Sequence, residues 1–142
     1  MSRRLRGAAA VEFALWLPVL IVLFAGVVDL SRYMSSQQAI TRAARDGARY
    51  GITVVKSPSG TTQATPAEIE AEAETQTLYV LTESGITCST GCVIDGRVYV
   101  TASGLRMLEV SVSRPFTPLM GMIPQIAGNQ TSAFTMMTQL QP

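Results

Sequence analysis

Gly7–Val28 reads GAAAVEFALWLPVLIVLFAGVV, and it is the only long apolar run in the chain. Arg3, Arg4 and Arg6 stand just before it, Asp29 and Arg32 just after it, and one acid, Glu12, lies inside it. As a helix, the 21 residues from Ala8 to Val28 are about 31 Å long, one hydrocarbon thickness. The arginines place Met1–Arg6, short, basic and flexible, on the cytoplasmic side.

Three readings of this stretch compete. A secretory signal peptide needs a shorter apolar core followed by a small-x-small cleavage site, and Ala25-Gly26-Val27 is a poor version of one. A plain uncut anchor fits the length but leaves Glu12 unexplained, unless it snorkels or is protonated. In that bland reading Gly7 is an incidental hinge and Pro18 a tolerated kink that frees the Ala14 carbonyl. The third reading is a leader cut between Gly7 and Ala8. A charged group at the bilayer centre costs roughly 2.5–3.5 kcal/mol on insertion scales. Glu12 lies only about 6 Å along the helix from Ala8, where the cost is smaller. After the cut, Glu12 is the fifth residue of the mature chain and Ala8 carries an α-ammonium. A neighbouring copy, slightly staggered, then offers that ammonium to the Glu12 carboxylate, and pairing offsets the burial of both charges. An acid in the first turns also meets the positive end of the helix dipole.

The arginine-rich leader, Gly7, the Glu12-Phe13-Ala14-Leu15 run and Pro18 inside a Leu/Val/Ile stretch resemble the TadE-like pseudopilins of the tight-adherence (Flp) type IV pilus system. Arg42–Gly51 and Arg114–Leu119 look like that family too. The resemblance implies cleavage at Gly7–Ala8 by a prepilin peptidase and an inner-membrane start with the head outside the cytoplasm. It implies a minor structural role in assembling an adhesive pilus, with other pilins or pseudopilins and the Tad secretion machinery as partners.

Beyond the span the helical period continues. Ile40, Ala43, Ala44, Gly47 and Ala48 fall at i, i+3, i+4, i+7 and i+8, while Arg42, Arg45, Asp46 and Arg49 share another face. Small residues permit close approach by another backbone. One long helix from about Ala8 to about Tyr50, ending near Gly51, is expected, with its charged face solvated. Thr53–Ala64 is a loop, dense in turn formers over Ser57–Thr62. Thr65 caps a second helix, Pro66 opens it and Glu68 completes a capping box. Glu70, Glu72 and Glu74 read as solvated acids near the positive helix end rather than calcium ligands. Leu78, Leu81 and Val80 are its expected buried end, and Gly85 its stop. Cys88 and Cys92 are too far apart for a bridge along a strand, but a tight loop with Gly91 brings them together. On the exported side a disulfide is the expected state.

Past Cys92 the period becomes two. Val98 and Val100, then Leu108, Val110 and Val112, alternate with polar residues. Ser103-Gly104 reads as the hairpin turn between them, with Asp95-Gly96 as a rival. Pro115, Pro118 and Pro124 are expected to break pairing across Pro115–Gln125, with Met120, Gly121 and Met122 as an apolar plug or partner contact. Thr131–Thr138 returns as a third strand.

The chain has 142 residues, a net charge of +1 and a mean hydropathy of +0.26. Without Met1–Gly7 and its three arginines, eight positive side chains face ten acids, so the remainder has no basic patch for nucleic acid. No histidine is present, which removes the commonest general base and metal ligand, and two cysteines alone cannot complete a zinc site. With no nucleophile motif and no phosphate loop, neither an enzyme, a cofactor nor a small-molecule substrate is expected. The expected fold is α+β and pilin-like. A leader (1–7), a transmembrane helix (8–28) and an extracytoplasmic head (29–142), with the helix continuing through 29–50, carry a second helix and a small antiparallel sheet. The functional expectation is a processed minor pilin. Its alternative is an uncut single-pass protein displaying a small extracytoplasmic binding domain.

Overall fold

The computed structural model describes residues 2–54, 64–88, 91–120 and 127–137, with side chains from Ala10 onward. The Ser57–Thr62 turn cluster, the Gly121–Gln125 end of the proline segment and Thr138 lie outside the described residues, as do the surroundings of Gly7 and the side chain of Ala8. The elements follow the order α1 (Ser2–Gly51), α2 (Pro66–Glu83), β1 (Val93–Val100), β2 (Arg106–Phe116) and β3 (Gly128–Met137). The architecture is α+β, a long apolar N-terminal helix with a second helix and a three-stranded antiparallel sheet in the order β1-β2-β3.

α1 is continuous over 50 residues. It begins at Ser2 rather than near Ala8, so the basic segment is helical and not a flexible arm. Arginine, leucine and alanine are good helix formers, and a single glycine at position 7 costs only about 1 kcal/mol. Pro18 sits inside without ending the helix. This is one helix long and apolar enough to cross a membrane. From Val11 to Phe24 its large side chains are exposed, including Phe13, Leu15, Trp16 and Ile21. The head covers it only from Ala25 onward.

The row of small residues expected to face a partner element does so. Ile40, Ala43, Ala44, Gly47 and Ala48 are all buried. α2 packs antiparallel along this row. A Cβ on Gly47 would collide with Thr77 Oγ1 and lie 2.9 Å from the Ala73 carbonyl, so the glycine sets the helix separation. Two apolar clusters follow. Ala48, Ile69, Ala73, Leu108 and Val110 close the end far from the span, and Ile40, Ala43, Ala44, Leu81, Ile86 and Val112 the end near it. Each fully buried Ile, Leu or Val contributes roughly 1.5–3 kcal/mol. A three-stranded sheet gains its stability by lying on the helices.

α2 starts as its sequence dictates. Thr65 Oγ1 accepts from the Glu68 backbone N–H at 3.3 Å, and Glu68 Oε2 accepts from the Thr65 N–H at 2.8 Å. The buried face of α2 is Ile69, Ala73, Thr77 and Leu81. Leu78 is exposed rather than buried, because it lies one residue, about 100°, off this row. Gly85, at φ +74°, ends the helix, and the Ile86 N–H returns to the Leu81 carbonyl.

β2 is the central strand. Leu108, Val110 and Val112 point to the helices, as their alternation predicts, whereas Val100 at the end of β1 is exposed. The hairpin turn is Thr101–Leu105 with Gly104 at φ +82°. The rival Asp95-Gly96 lies inside β1, where Gly96 pairs with Val110. Pro115 does not break β2 but pairs with Asn129. β1 starts only at Val93, opposite Ser113, so β2 has a neighbour on one side only at Pro115, and the missing N–H leaves no gap in a central ladder.

Candidate functional site

Four places carry the residues of interest. The first is the start of the span. The Gly7–Ala8 peptide lies within α1, and Glu12 follows one turn after Ala8. Glu12 is exposed, and among the described residues it has no hydrogen-bond or ion-pair partner. Its neighbours Val11, Phe13 and Leu15 are exposed as well. Among the described residues, this carboxylate, flanked by bare apolar side chains on an unclad helix, has no counter-ion. In hydrocarbon it is stable only with a partner from outside.

The second place is the junction between span and head. Asp29, read from the sequence as the polar end of the span, is fully buried. Its two carboxylate oxygens accept the backbone N–H groups of Leu119 at 2.8 Å and Met120 at 3.1 Å. Arg32 approaches the same carboxylate at 3.9 Å and lies over the Phe116 ring, 6.0 Å from its centroid. Phe116 meets Tyr33 edge-on at 5.3 Å. Just above, Gln130, also buried, donates to the Tyr33 carbonyl at 3.0 Å and accepts from Ser36 Oγ at 2.7 Å. Arg114 donates to that same hydroxyl at 3.1 Å. The head-facing row of α1 thus runs back from buried Ile40 through half-buried Ser36 and Tyr33 to buried Asp29 and Ala25. Extending the 3.6 period back by about four turns would have revealed it.

The third place is the free edge of β1. Glu74 Oε1 accepts from the Gly96 N–H at 2.9 Å and Glu70 Oε1 from the Val98 N–H at 2.6 Å. These two acids are not solvated helix acids. They are hydrogen-bond acceptors that satisfy the outward donors of an edge strand. Glycine at 96 eases the approach, since a Cβ there would stand 3.1 Å from the Glu70 carbonyl. The fourth place is the Cys88–Cys92 pair, bridged with Cα atoms 5.2 Å apart. Gly91, at φ +87°, makes the loop tight enough.

On the charged face of α1, Arg42 pairs with Asp46 at 3.6 Å and Arg45 lies over Phe134 at 5.1 Å. Both arginines remain exposed, as expected of a solvated face. Among the described residues no group of three or more His, Cys, Asp or Glu side chains is placed to hold a metal ion.

A family model described as TadE-like protein matches residues 7–49, the span and the outer helix with its small-residue row. This is the family that the leader and the Glu12–Pro18 run resemble. No curated protein and no solved structure matches the chain.

Proposed function

We propose that this chain, TadE-like over residues 7–49, is a minor pilin or pseudopilin of a Tad-type adhesive pilus. It enters the inner membrane with its basic end in the cytoplasm and its head on the other side. A prepilin peptidase removes residues 1–7, and the mature chain begins with the Ala8 ammonium. The observation that carries this reading is Glu12, unpartnered among the described residues, on a helix that is bare from Val11 to Phe24 before the head covers one face from Ala25 onward. A bare, apolar helix with one acid near its start is built to be covered by lipid first and by other helices afterwards. Glu12 pairs with the Ala8 ammonium of a neighbouring copy or pilin, and the apolar side chains around it exclude water from that pair. The role is structural rather than enzymatic, and the partners are other pilins or pseudopilins and the secretion machinery that moves them. The Cys88–Cys92 bridge fits a head that folds outside the cytoplasm.

The test is the mass and N-terminal sequence of the chain recovered from membranes of a host with an active prepilin peptidase. A start at Ala8 is expected. A terminus at Met1 or Ser2 would replace this reading with the uncut anchor displaying an extracytoplasmic head.

A further inference from the structure

We infer that the head carries a second membrane contact, in which Leu119 and Met120, held by Asp29, enter the lipid headgroup and acyl boundary beside the helix. The inference rests on α1 crossing the membrane as proposed above. The apolar run of α1 ends at Val28, so Asp29 marks the level at which the helix leaves hydrocarbon. The backbone of Leu119 and Met120 lies within 3.1 Å of the Asp29 carboxylate, at that same level. Their side chains turn outward and are 66% and 55% exposed, although both are large and apolar. The head also reaches deeper than Asp29 on this face. Ala25, one turn nearer the cytoplasm, is only 7% exposed, while Phe24 and Val27 beside it remain open.

Three features select lipid as the occupant. First, the exposed pair lies at the edge of the bare span, since Val22, two turns before Asp29 on the same face of the helix, is open. Second, the group that fixes the segment is a carboxylate whose two oxygens take two backbone N–H groups. These donors would otherwise lose their water on entering the interface, and Asp29 supplies acceptors in its place. Third, Arg32 and Tyr33 stand beside the segment, and amphipathic side chains of these types settle where hydrocarbon meets headgroups. Apolar segments bury some 5–10 Å into that boundary when they lie on a membrane surface. The contact gives the head two points of attachment, so it stands in one orientation on the membrane before assembly.

The experiment uses the full chain in lipid vesicles, with the Cys88–Cys92 bridge intact and one nitroxide label at a time on Leu119→Cys, Ile21→Cys or Leu105→Cys. Leu105 is the control, an exposed leucine in the hairpin turn at the far end of the head. Collisions with lipid-soluble oxygen are compared with those of a water-soluble nickel chelate. The oxygen-to-nickel ratio at 119 is expected to lie between a high value at 21 and a low value at 105. Changing Asp29→Asn is expected to shift the ratio at 119 toward the value at 105 and leave the ratio at 21 unchanged. A water-like label at 119 with a lipid-like label at 21 would overturn the contact alone. A water-like label at 21 would overturn the span and with it the contact. A label at 119 shielded from both reagents would show another protein copy there, and a lipid-like label at 105 would show a head lying flat. Either result overturns the inference, and an unmoved ratio in the Asp29→Asn chain would remove Asp29 from it.

Discussion

Glu12 and Gly47 illustrate how single side chains on one helix serve different ends. Glu12 has no partner among the described residues of its own chain, so its removal does not disturb the head. Glu12→Gln is expected to leave membrane insertion and the head's melting temperature unchanged while reducing pilus assembly, counted as pili per cell. Unaltered piliation would leave Glu12 without a role in assembly. Gly47 is the opposite case. Adding even one carbon there drives into Thr77 Oγ1 and the Ala73 carbonyl. Gly47→Val is expected to destabilise the head by about 1–3 kcal/mol, the usual cost of overpacking, read as a lower melting temperature in detergent. Gly47 was legible as part of a periodic small-residue face. Asp29 was legible only as a polar stop, because nothing local in a sequence tells a solvated acid from one that receives the N–H groups of residues 90 positions away.

At the scale of elements, what could be read from sequence was what depends on neighbours close in the chain. The capping box at Thr65, the stop at Gly85, the alternation through Leu108–Val112 and the long helix are all local patterns, and all are present. The strand through Pro115 and the hairpin at Ser103-Gly104 rather than Asp95-Gly96 depend on which strand lies alongside, and strand pairing is a long-range property. The acids of α2 belong to the same class. Facing solvent they would be interchangeable. Facing β1 they close an edge that would otherwise offer unpaired donors to another chain. Glu70→Gln with Glu74→Gln keeps the shape and an oxygen acceptor at each site but removes both charges, weakening two charge-assisted hydrogen bonds. Faster amide exchange at Gly96 and Val98 than elsewhere in β1 is the expected result, together with a greater tendency to aggregate. Equal exchange along the strand would show that the acids do not guard the edge.

At the scale of the molecule, the span and the head share one uninterrupted helix. The head is clamped to it by the Asp29 contacts, by Gln130 and by the Gly47 packing, so no joint separates the two halves. The helix therefore behaves as a shaft, and whatever turns one end turns the other. Each residue added between Leu20 and Ile21 would rotate Glu12 relative to the head by about 100° and lengthen the shaft by about 1.5 Å. One inserted alanine is expected to abolish assembly while the chain still inserts and the head still melts at its normal temperature. Seven inserted residues restore the angle to within about 20° but add about 10 Å of length. Comparing the two, by pilus counts and by head melting, separates angular phase from axial reach. If one alanine is tolerated, neighbouring subunits do not read the two ends together. In the proposed assembly, the unbroken helix converts a choice of neighbour made inside the membrane into a fixed compass bearing for the surface displayed outside it.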